Sequence, residues 1–482
     1  MKYDIIIIGS GLGGLIAGAK LSKEGKKVFL IEQHSKPGGC ATTFKRGDFV
    51  FEVGLHEMDY PAPSEMKSRI FTDLDVFKNV EFIKVPEFYH FDNNRVRVTI
   101  PHDPEAAAKK LILIFPDESS GINEWFRLLV TPRKKNKPED QEPDKSVGEY
   151  LDSIISNDDL KLILMGNLGY FHDDPYALSL SYYAVAQGSY FLNGACFVKG
   201  GSQKLSTYLS EYIKSHGGEV LLGNLVTELS ISDGCVTGIS YRKKKIPDSE
   251  VLTANADHFI CNGSIPGLKN ILTEKYWGEL EHDIAGEITG PSLLTIFLGF
   301  KRPPLEIGNK YYSAFIYDES IKTLSDIKNN NREDYSKRSF TFVDYTQIDS
   351  GLAPSGKGEG VICCMDYLED WDKLDEIAYK SKKERVAEIL TDRLEKYIPG
   401  IKDEIEYSEV GTPRTVKRYT LNTGGATHGF VNTPSRKPPE VLKSLQNLHF
   451  ASAWGKTGGG FSGAIYGGYL TALSLLRKSR GN

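Results

Sequence analysis

The stretch YDIIIIGSGLGGLIAGAKL, residues 3–21, decides the fold of this 482-residue chain. Its four consecutive isoleucines, Ile5 to Ile8, end abruptly at Gly9. A secretory signal would need a basic segment and a longer apolar run, whereas a buried parallel strand is a short β-branched run bounded by turn residues. Small and apolar residues at helical spacing follow the glycines. The pattern therefore predicts a strand, a glycine turn and a helix.

The glycines match a dinucleotide-binding pattern, GxGxxG, at Gly9, Gly11 and Gly14. A second apolar run, residues 27–31, ends in Glu32, about twenty residues after the glycines, where an acid can bond a ribose hydroxyl. Gly9 allows the tight turn, Gly11 lets the backbone approach a pyrophosphate, and Gly14 permits close packing of the helix. The free N–H groups of the helix N-terminus favour an anion. Nicotinamide and flavin dinucleotides both fit this motif.

Composition narrows the class of protein. The apolar content of 40%, charged content of 26% and net charge of −5 are ordinary for a globular chain and indicate no nucleic-acid partner. No run reaches the ~18 uninterrupted apolar residues of a spanning helix. We therefore expect a cytoplasmic protein without a metal site. The cysteines, which lack metal-binding spacing and are expected to be reduced, are Cys40, Cys196, Cys235, Cys261, Cys363 and Cys364.

The residues after Glu32 favour a flavin. They read QHSKPGGCATTFKRGDFVFEVGLH, residues 33–56, with a second glycine pair that can bring further N–H groups to a diphosphate and leave room for a bulky ring. A nicotinamide domain has no need of this pair. In these residues the chain resembles the phytoene desaturase, carotenoid isomerase and retinol saturase superfamily of FAD-dependent oxidoreductases, and GGCATTF followed by FEVGLH is most similar to its retinol saturase and carotenoid isomerase side.

The resemblance returns at residues 197–229, 256–264 and 447–476, so it spans nearly the whole chain. A hairpin with an Asp233-Gly234 turn follows the first of these segments. The family commonly has Gly-Asp near the C-terminal glycines, and Ser452-Ala453 stands there instead. The FAD contacts that the resemblance implies are Gly9, Ser10, Gly11, Gly13, Gly14, Glu32, Gln33, Gly38, Gly39, Ala41, Thr42, Val226, Asn262, Gly459, Gly460 and Phe461.

The resemblance implies an α/β fold with a Rossmann-like, glutathione-reductase-like FAD-binding domain and an inserted α+β substrate domain. The FAD-binding domain would comprise residues 1–59, 196–264 and 441–482, and the substrate-binding domain residues 60–195 and 265–440. The polar segment at residues 131–146 is expected to be an exposed loop or linker.

Two aromatic-rich stretches, residues 169–191 and 291–300, could line an elongated cavity, although each ring taken singly is more typical of an ordinary core. The family chemistry is hydride exchange between flavin N5 and a carbon of a long apolar polyene or isoprenoid, resulting in desaturation, saturation or isomerisation. Transient reduction by NAD(P)H and peripheral contact with a membrane are compatible with this chemistry.

The proposed proton donors or acceptors are His56, Glu57 and Tyr190. Arg414 could face the cavity or pair with a carboxylate at the surface. Two other classes of protein share the FAD architecture and remain alternatives. An amine oxidase often carries a flavin-linked cysteine near its C-terminus, and no cysteine follows Cys364. A non-catalytic relative of the GDP-dissociation inhibitor type would bind prenyl groups, and loss of the flavin motifs would mark it.

Overall fold

The computed structural model describes residues 2–63, 65–131, 144–437, 441–442 and 444–480. Most of the segment predicted to be a linker, residues 131–146, lies outside the described residues. The strands are β1 (Lys2–Ile8), β2 (Val28–Glu32), β3 (Thr43–Arg46), β4 (Phe49–Glu52), β5 (Met58–Asp59), β6 (Phe82–Lys84), β7 (Tyr89–Asp92), β8 (Arg97–Ile100), β9 (Ala195–Val198), β10 (Glu219–Leu222), β11 (Asn224–Ser232), β12 (Cys235–Lys243), β13 (Leu252–Cys261), β14 (Ser292–Phe300), β15 (Ser313–Ile316), β16 (Phe340–Asp344), β17 (Gly358–Asp366), β18 (Ile405–Gly411), β19 (Val441–Leu442) and β20 (Leu445–Phe450).

The helices, numbered along the chain, are α1 (Leu12–Lys23), α2 (Met66–Asp73), α3 (Pro104–Ile114), α4 (Ser119–Val130), α5 (Val147–Ile154), α6 (Asp158–Leu164), α7 (Leu180–Asn193), α8 (Gln203–Ser215), α9 (Glu274–Asp283), α10 (Leu324–Asn330), α11 (Glu376–Tyr397), α12 (Ile401–Glu404), α13 (Pro413–Thr420) and α14 (Gly460–Arg480).

The N-terminal strand lies in the middle of an 8-stranded sheet, as its apolar sequence requires. In the order β10-β2-β1-β13-β20 every neighbouring pair is parallel, and β12 and β11 extend the sheet beyond β13 as antiparallel strands. Ile5, Ile6 and Ile7 are buried because this strand is covered on both faces. The strand, glycine turn and helix predicted from residues 3–21 are confirmed.

Helices α1 and α14 pack against each other through glycines. A Cβ atom at Gly468 would lie 2.1 Å from the backbone oxygen of Gly13, and one at Gly13 would lie 1.9 Å from the oxygen of Ala451. Both distances are far inside van der Waals contact, so neither position accommodates a side chain without backbone movement. The two glycines therefore hold α14 and the end of β20 directly against the first helix.

The hairpin predicted at Asp233-Gly234 is present between β11 and β12. Ser232 pairs with Cys235 across the turn, and both turn residues have positive φ, 50° at Asp233 and 73° at Gly234. This is the geometry of a type I′ turn, which fits the twist of an antiparallel ribbon.

A second sheet carries the inserted domain. Its seven strands follow the order β18-β14-β17-β16-β15-β7-β8, and the helices α3 to α7 pack beside it around their own apolar cluster. Side chains of α2, including Ile70 and Phe71, belong instead to the cluster that contains α1. The core around α1 therefore extends past residue 59, where the sequence placed the domain limit, because α2 contacts α14.

The six cysteines are free, and Cys196, Cys261, Cys363 and Cys364 are buried. Along the described residues, no helix combines the length and apolar character that crossing a bilayer requires.

The glycine contact between α1 and α14 can be tested with two alanine variants. Gly468→Ala should lower the free energy of unfolding by about 1–3 kcal/mol, because its Cβ meets backbone that cannot move independently. Gly278→Ala, in the exposed helix α9 where a Cβ meets no atom within 4 Å, should raise it by about 0.5–1 kcal/mol through helix propensity. Denaturant unfolding measures both. Equal effects of the two variants would contradict the helix contact.

Candidate functional site

The residues predicted to hold the dinucleotide gather at one edge of the parallel sheet. Strands β1, β2, β13 and β20 end at Ile8, Glu32, Cys261 and Phe450, and the predicted segments begin directly after these ends. Because parallel strands present their carboxyl ends at the same edge, the loops that follow them meet there. The fold therefore brings sequence segments from both ends of the chain into one site.

Each glycine of the first turn is required for a different reason. Gly9 has a φ of 98°, and a Cβ at Gly14 would lie 2.3 Å from the oxygen of Gly9. At Gly11 a Cβ would meet only the flexible side chain of Asn262, whose Nδ2 would be 2.9 Å away. The space over Gly11 is thus open apart from one movable amide, as a turn that receives a pyrophosphate requires.

The N-terminus of α1 is available to an anion. No described side chain caps this helix, and its first turn contains no acidic residue. The first N–H groups of a helix have no partner within the helix, and they carry the positive end of its dipole. Their position at the end of β1 fits a bound diphosphate.

Glu32 is fixed beside the turn by three hydrogen bonds. Its Oε2 accepts from the backbone N–H and the hydroxyl of Ser10, each at 2.8 Å, and its Oε1 accepts from the N–H of His34 at 2.7 Å. This geometry suits the expected role of Glu32 at a ribose. Gln33 points away and donates to the backbone oxygen of Tyr419.

The second glycine pair lies directly on the first turn. The N–H of Gly38 donates to the oxygen of Ser10 at 2.8 Å, and a Cβ at Gly39 would lie 3.3 Å from the Cα of Gly11. The following residues are held by α8: Ser206 donates to the oxygen of Ala41 at 2.7 Å, and Thr42 donates to Gln203.

Asn262 supports the turn from the end of β13, where its Nδ2 donates to the oxygen of Gly9 at 3.2 Å. Val226 is buried in the apolar cluster that also contains Ile31, the residue that precedes Glu32 in the chain. Gly459, Gly460 and Phe461 lie at the N-terminus of α14.

Ser452 stands beside the position where the family commonly has an acid. Its hydroxyl oxygen accepts from the N–H of Trp454 at 3.3 Å, so its hydroxyl hydrogen remains available to donate to another group.

A cavity of about 560 Å³ begins beside the N-terminus of α14 and extends into the inserted domain. Both aromatic-rich stretches supply part of its lining, including Tyr170, Phe171, Tyr182, Tyr190 and Leu293. None of the described lining residues is lysine or arginine. The first stretch therefore lines the cavity with its aromatic rings as expected, whereas the second contributes Leu293 and Thr295 and neither of its phenylalanines.

The cavity brings together the three residues predicted to handle protons, His56, Glu57 and Tyr190. Nδ1 of His56 lies 3.1 Å from the hydroxyl of Tyr170. Neither carboxyl oxygen of Glu57 has a hydrogen-bond partner in the part of the chain that the structure describes. Tyr190 stacks on Phe88, with ring centroids 5.2 Å apart.

Burial sets the charge of these groups. It raises the pKa of the Glu57 carboxyl well above its usual range, and the nearby carboxylate of Glu87 raises it further. Burial lowers the pKa of His56 to about 4. At neutral pH His56 is therefore uncharged, and the shift of Glu57 is toward its protonated form.

A buried ion pair lies beside the cavity near α14. Lys67 is fully buried and contacts Oδ2 of Asp59 at 2.6 Å, while Ser462 donates to Oδ1 of Asp59 at 2.5 Å. Arg414, in contrast, pairs with Glu376 outside the cavity, so the surface alternative for this residue is the one observed.

Two lining residues, His172 and His428, were not identified from the sequence. His172 stands inside the quoted aromatic stretch and His428 in the loop after α13, and neither belongs to a spacing motif. Only the packing of the two segments brings them to the same cavity.

Comparison with known proteins identifies the family of this architecture. The sequence model described as flavin containing amine oxidoreductase matches residues 12–476. The all-trans-retinol 13,14-reductase of Danio rerio is 26% identical over an alignment of 536 residues, gaps included. The alignment covers 99% of this chain and 86% of the relative. The chloroplastic prolycopene isomerase of Arabidopsis thaliana is 26% identical over 463 residues, which cover 89% of this chain and 74% of the relative.

Among solved structures, an oxidoreductase from Methanosarcina mazei has a TM-score of 0.66 at 17% identity, and the match covers 98% of this chain and 100% of that one. This likeness confirms the predicted α/β fold with a Rossmann-like domain. The sequence relatives confirm the resemblance to the phytoene desaturase, carotenoid isomerase and retinol saturase group.

The open space over Gly11 leads to a test of flavin binding. Gly11→Val should give folded but colourless protein, because valine tolerates the extended backbone of Gly11 (φ −61°, ψ 167°) while its side chain fills the space needed by the pyrophosphate. Gly278→Val, on the exposed face of α9, is the matched control and should stay yellow. Flavin absorbance per protein, titration with FAD and thermal unfolding provide the measurements. A Gly11→Val protein that binds FAD as tightly as the parent would contradict the assignment of the turn.

Proposed function

The chain belongs to the flavin-containing amine oxidoreductase family, and we propose that this FAD-dependent oxidoreductase acts on carbon–carbon double bonds of a long apolar polyene or isoprenoid. The reaction is desaturation, saturation or isomerisation of that chain. Support comes from the family model and from two relatives, one named a reductase of all-trans-retinol and the other an isomerase of prolycopene.

The observation that carries the proposal is the cavity next to α14. Its volume of about 560 Å³ and its aromatic and aliphatic lining suit an elongated apolar ligand. A polar or anionic substrate would lose its hydration there and would find no lysine or arginine among the described lining residues. The lining therefore favours a hydrocarbon chain.

Bound FAD supplies two-electron exchange with a carbon of the substrate. The residues of the chain position the substrate, exclude water and provide the proton. In the saturating direction a double bond also needs one proton, and the raised pKa of Glu57 keeps a carboxyl proton available for donation into the cavity at neutral pH. His56, uncharged and in contact with the Tyr170 hydroxyl, orients that tyrosine beside the same space.

Saturation consumes reducing equivalents, for which we propose transient reduction by NAD(P)H. The sequence contains one dinucleotide fingerprint, at Gly9, Gly11 and Gly14, and FAD takes that site. A nicotinamide would therefore approach the flavin only for the reductive step and leave before the polyene enters.

An amine oxidase is the competing assignment, because the family model carries that description. Anaerobic incubation of the purified protein with polyenes and, separately, with small amines distinguishes the two. Mass analysis should show a gain or loss of two hydrogens, or chromatography a changed double-bond geometry, in a polyene. Turnover of amines in preference to every polyene tested would overturn the proposal.

The proton-donor assignment predicts a specific pH dependence. Glu57→Gln should lower polyene saturation about 10²-fold or more and leave flavin content unchanged. In the parent, activity should fall as pH rises through the raised pKa of Glu57, because the required form is protonated; the variant should lack this decline. Glu359→Gln changes another buried carboxyl that lies outside the lining and serves as the control. Unchanged turnover in Glu57→Gln would remove Glu57 from the mechanism.

We further propose that the protein takes its substrate from a membrane surface. Val185 and Leu192 of α7 line the cavity and yet are 65% and 59% exposed, so they stand at its mouth. Their spacing of seven residues puts both on one face of the helix. An apolar rim around an opening suits shallow insertion into a lipid surface.

This proposal predicts that Val185→Asp combined with Leu192→Asp lowers binding to phosphatidylcholine vesicles about tenfold or more, since charges replace two inserted apolar groups. Ile377→Asp, at a more exposed position on α11 away from the cavity, should leave binding unchanged. Vesicle co-sedimentation measures all three proteins. Equal losses in the double variant and the control would contradict docking through the cavity mouth.

A further inference from the structure

Besides the carboxyl oxygens of Glu57 and Oε2 of Glu65, the cavity lining contains a ring nitrogen that no group in the described chain satisfies. His172 is 6% exposed and lines the cavity, and its Nε2 is buried without a hydrogen-bond partner among the described residues. A buried polar atom without a partner costs free energy, and most such atoms in folded proteins meet a protein group, water or a ligand. The position of Nε2 at the cavity makes a ligand group its natural partner.

The other side of the His172 ring is held firmly. Its Nδ1 accepts from the backbone N–H of Asp174 at 2.7 Å and lies 2.9 Å from Oδ1 of Asp173. Asp173 in turn accepts from the hydroxyl of Tyr367 at 2.5 Å. These contacts fix the orientation of the imidazole, so Nε2 remains the nitrogen that is available to a molecule in the cavity.

A second imidazole belongs to the same lining. His428 borders the cavity as His172 does, and its Nδ1 lies 3.0 Å from the hydroxyl of Thr427. The backbone of His428 packs against Gly459, where a Cβ would lie 2.4 Å from its oxygen. Two imidazoles, each engaged on its Nδ1 side, thus interrupt an otherwise largely apolar lining.

We infer that His172 and His428 form a hydrogen-bonding subsite for a neutral hydroxyl group of the substrate. The inference rests on the proposed function and narrows it from any polyene to an oxygen-bearing one. Because Nδ1 accepts from the N–H of Asp174, Nε2 carries the proton of the neutral ring, and the oxygen of a hydroxyl accepts it.

The surroundings favour a hydroxyl over the alternatives. A carboxylate would enter without a lysine or arginine in the described lining and would face the carboxylate of Asp173 behind the ring. A pure hydrocarbon would leave Nε2 without a partner. Sites that offer a hydrogen bond to a substrate hydroxyl discriminate strongly against analogues that lack it.

The test compares three ligands that share one chain: all-trans-retinol, the hydrocarbon in which hydrogen replaces its hydroxyl, and the corresponding carboxylic acid. Dissociation constants are measured on the FAD-loaded protein by quenching of protein fluorescence. The parent should bind the alcohol at least about tenfold more tightly than the hydrocarbon, and more tightly than the acid.

Two variants separate the roles of the two ring nitrogens. His172→Asn keeps a polar atom near the position of Nδ1, where it can still accept from the N–H of Asp174. The same change removes the atom that faces the cavity, so the preference for the alcohol should disappear. His172→Gln returns a polar atom near the position of Nε2 and should restore most of the preference. His428→Asn changes the other imidazole. It should reduce the ratio of hydrocarbon to alcohol dissociation constants, and it tests the subsite even if His172→Asn fails to fold. Flavin content and thermal unfolding confirm the fold of each variant.

Equal binding of alcohol and hydrocarbon by the parent, or an unchanged preference in His172→Asn and His428→Asn, would overturn the subsite and leave the proposed function in place. Tighter binding of the acid than of the alcohol would overturn its neutral character. A protein that binds none of the three ligands would overturn the proposed function together with the subsite.

Discussion

The structure depends on close approaches between backbone segments at glycines, where no side chain separates them. Gly13 touches the oxygen of Ala451, Gly468 touches the oxygen of Gly13, and Gly14 touches the oxygen of Gly9. These contacts join the first helix, the last helix and the end of the last strand at one point. Since α14 ends the described chain and its N-terminus also borders the cavity, the same contacts determine where the proposed cofactor site meets the cavity.

The polarity of the cavity follows from the burial of its lining groups more than from any single interaction. Three of its ionisable groups are displaced toward their uncharged forms: burial raises the pKa of Glu57 and lowers the pKa of both His56 and His428 to about 4. Asp59 of the lining forms a buried ion pair with Lys67, in which the opposite charges compensate each other at 2.6 Å. A lining of this kind admits apolar chains and favours the protonated form of Glu57.

The proposed cofactor half of the site has local signals in the sequence. Gly9 to Gly14 and Glu32 belong to a strand, a turn, a helix and a strand that follow one another in the chain, and each residue type has a steric or hydrogen-bonding reason at its position. The hairpin at Asp233-Gly234 was predictable for the same reason. His172 and His428 carry no comparable signal, because they meet only after segments 256 residues apart have packed around one cavity, and no spacing pattern encodes that contact. Glu57 was named from its neighbourhood, but its raised pKa follows from burial that only the fold shows.

The constraint that selects an apolar substrate also serves the proton donor. A ligand that fills the cavity removes water from around Glu57, and removal of water favours the uncharged carboxyl. Binding and protonation are linked, so a protonated Glu57 favours an apolar ligand to the same extent that the ligand favours the proton. An anionic Glu57 would instead attract water and oppose the entry of a hydrocarbon chain. The proposed substrate selection and proton supply therefore share one cause, the low polarity of the cavity. The proposed hydrogen bond at His172 would then decide which apolar chain is held and in which direction it lies.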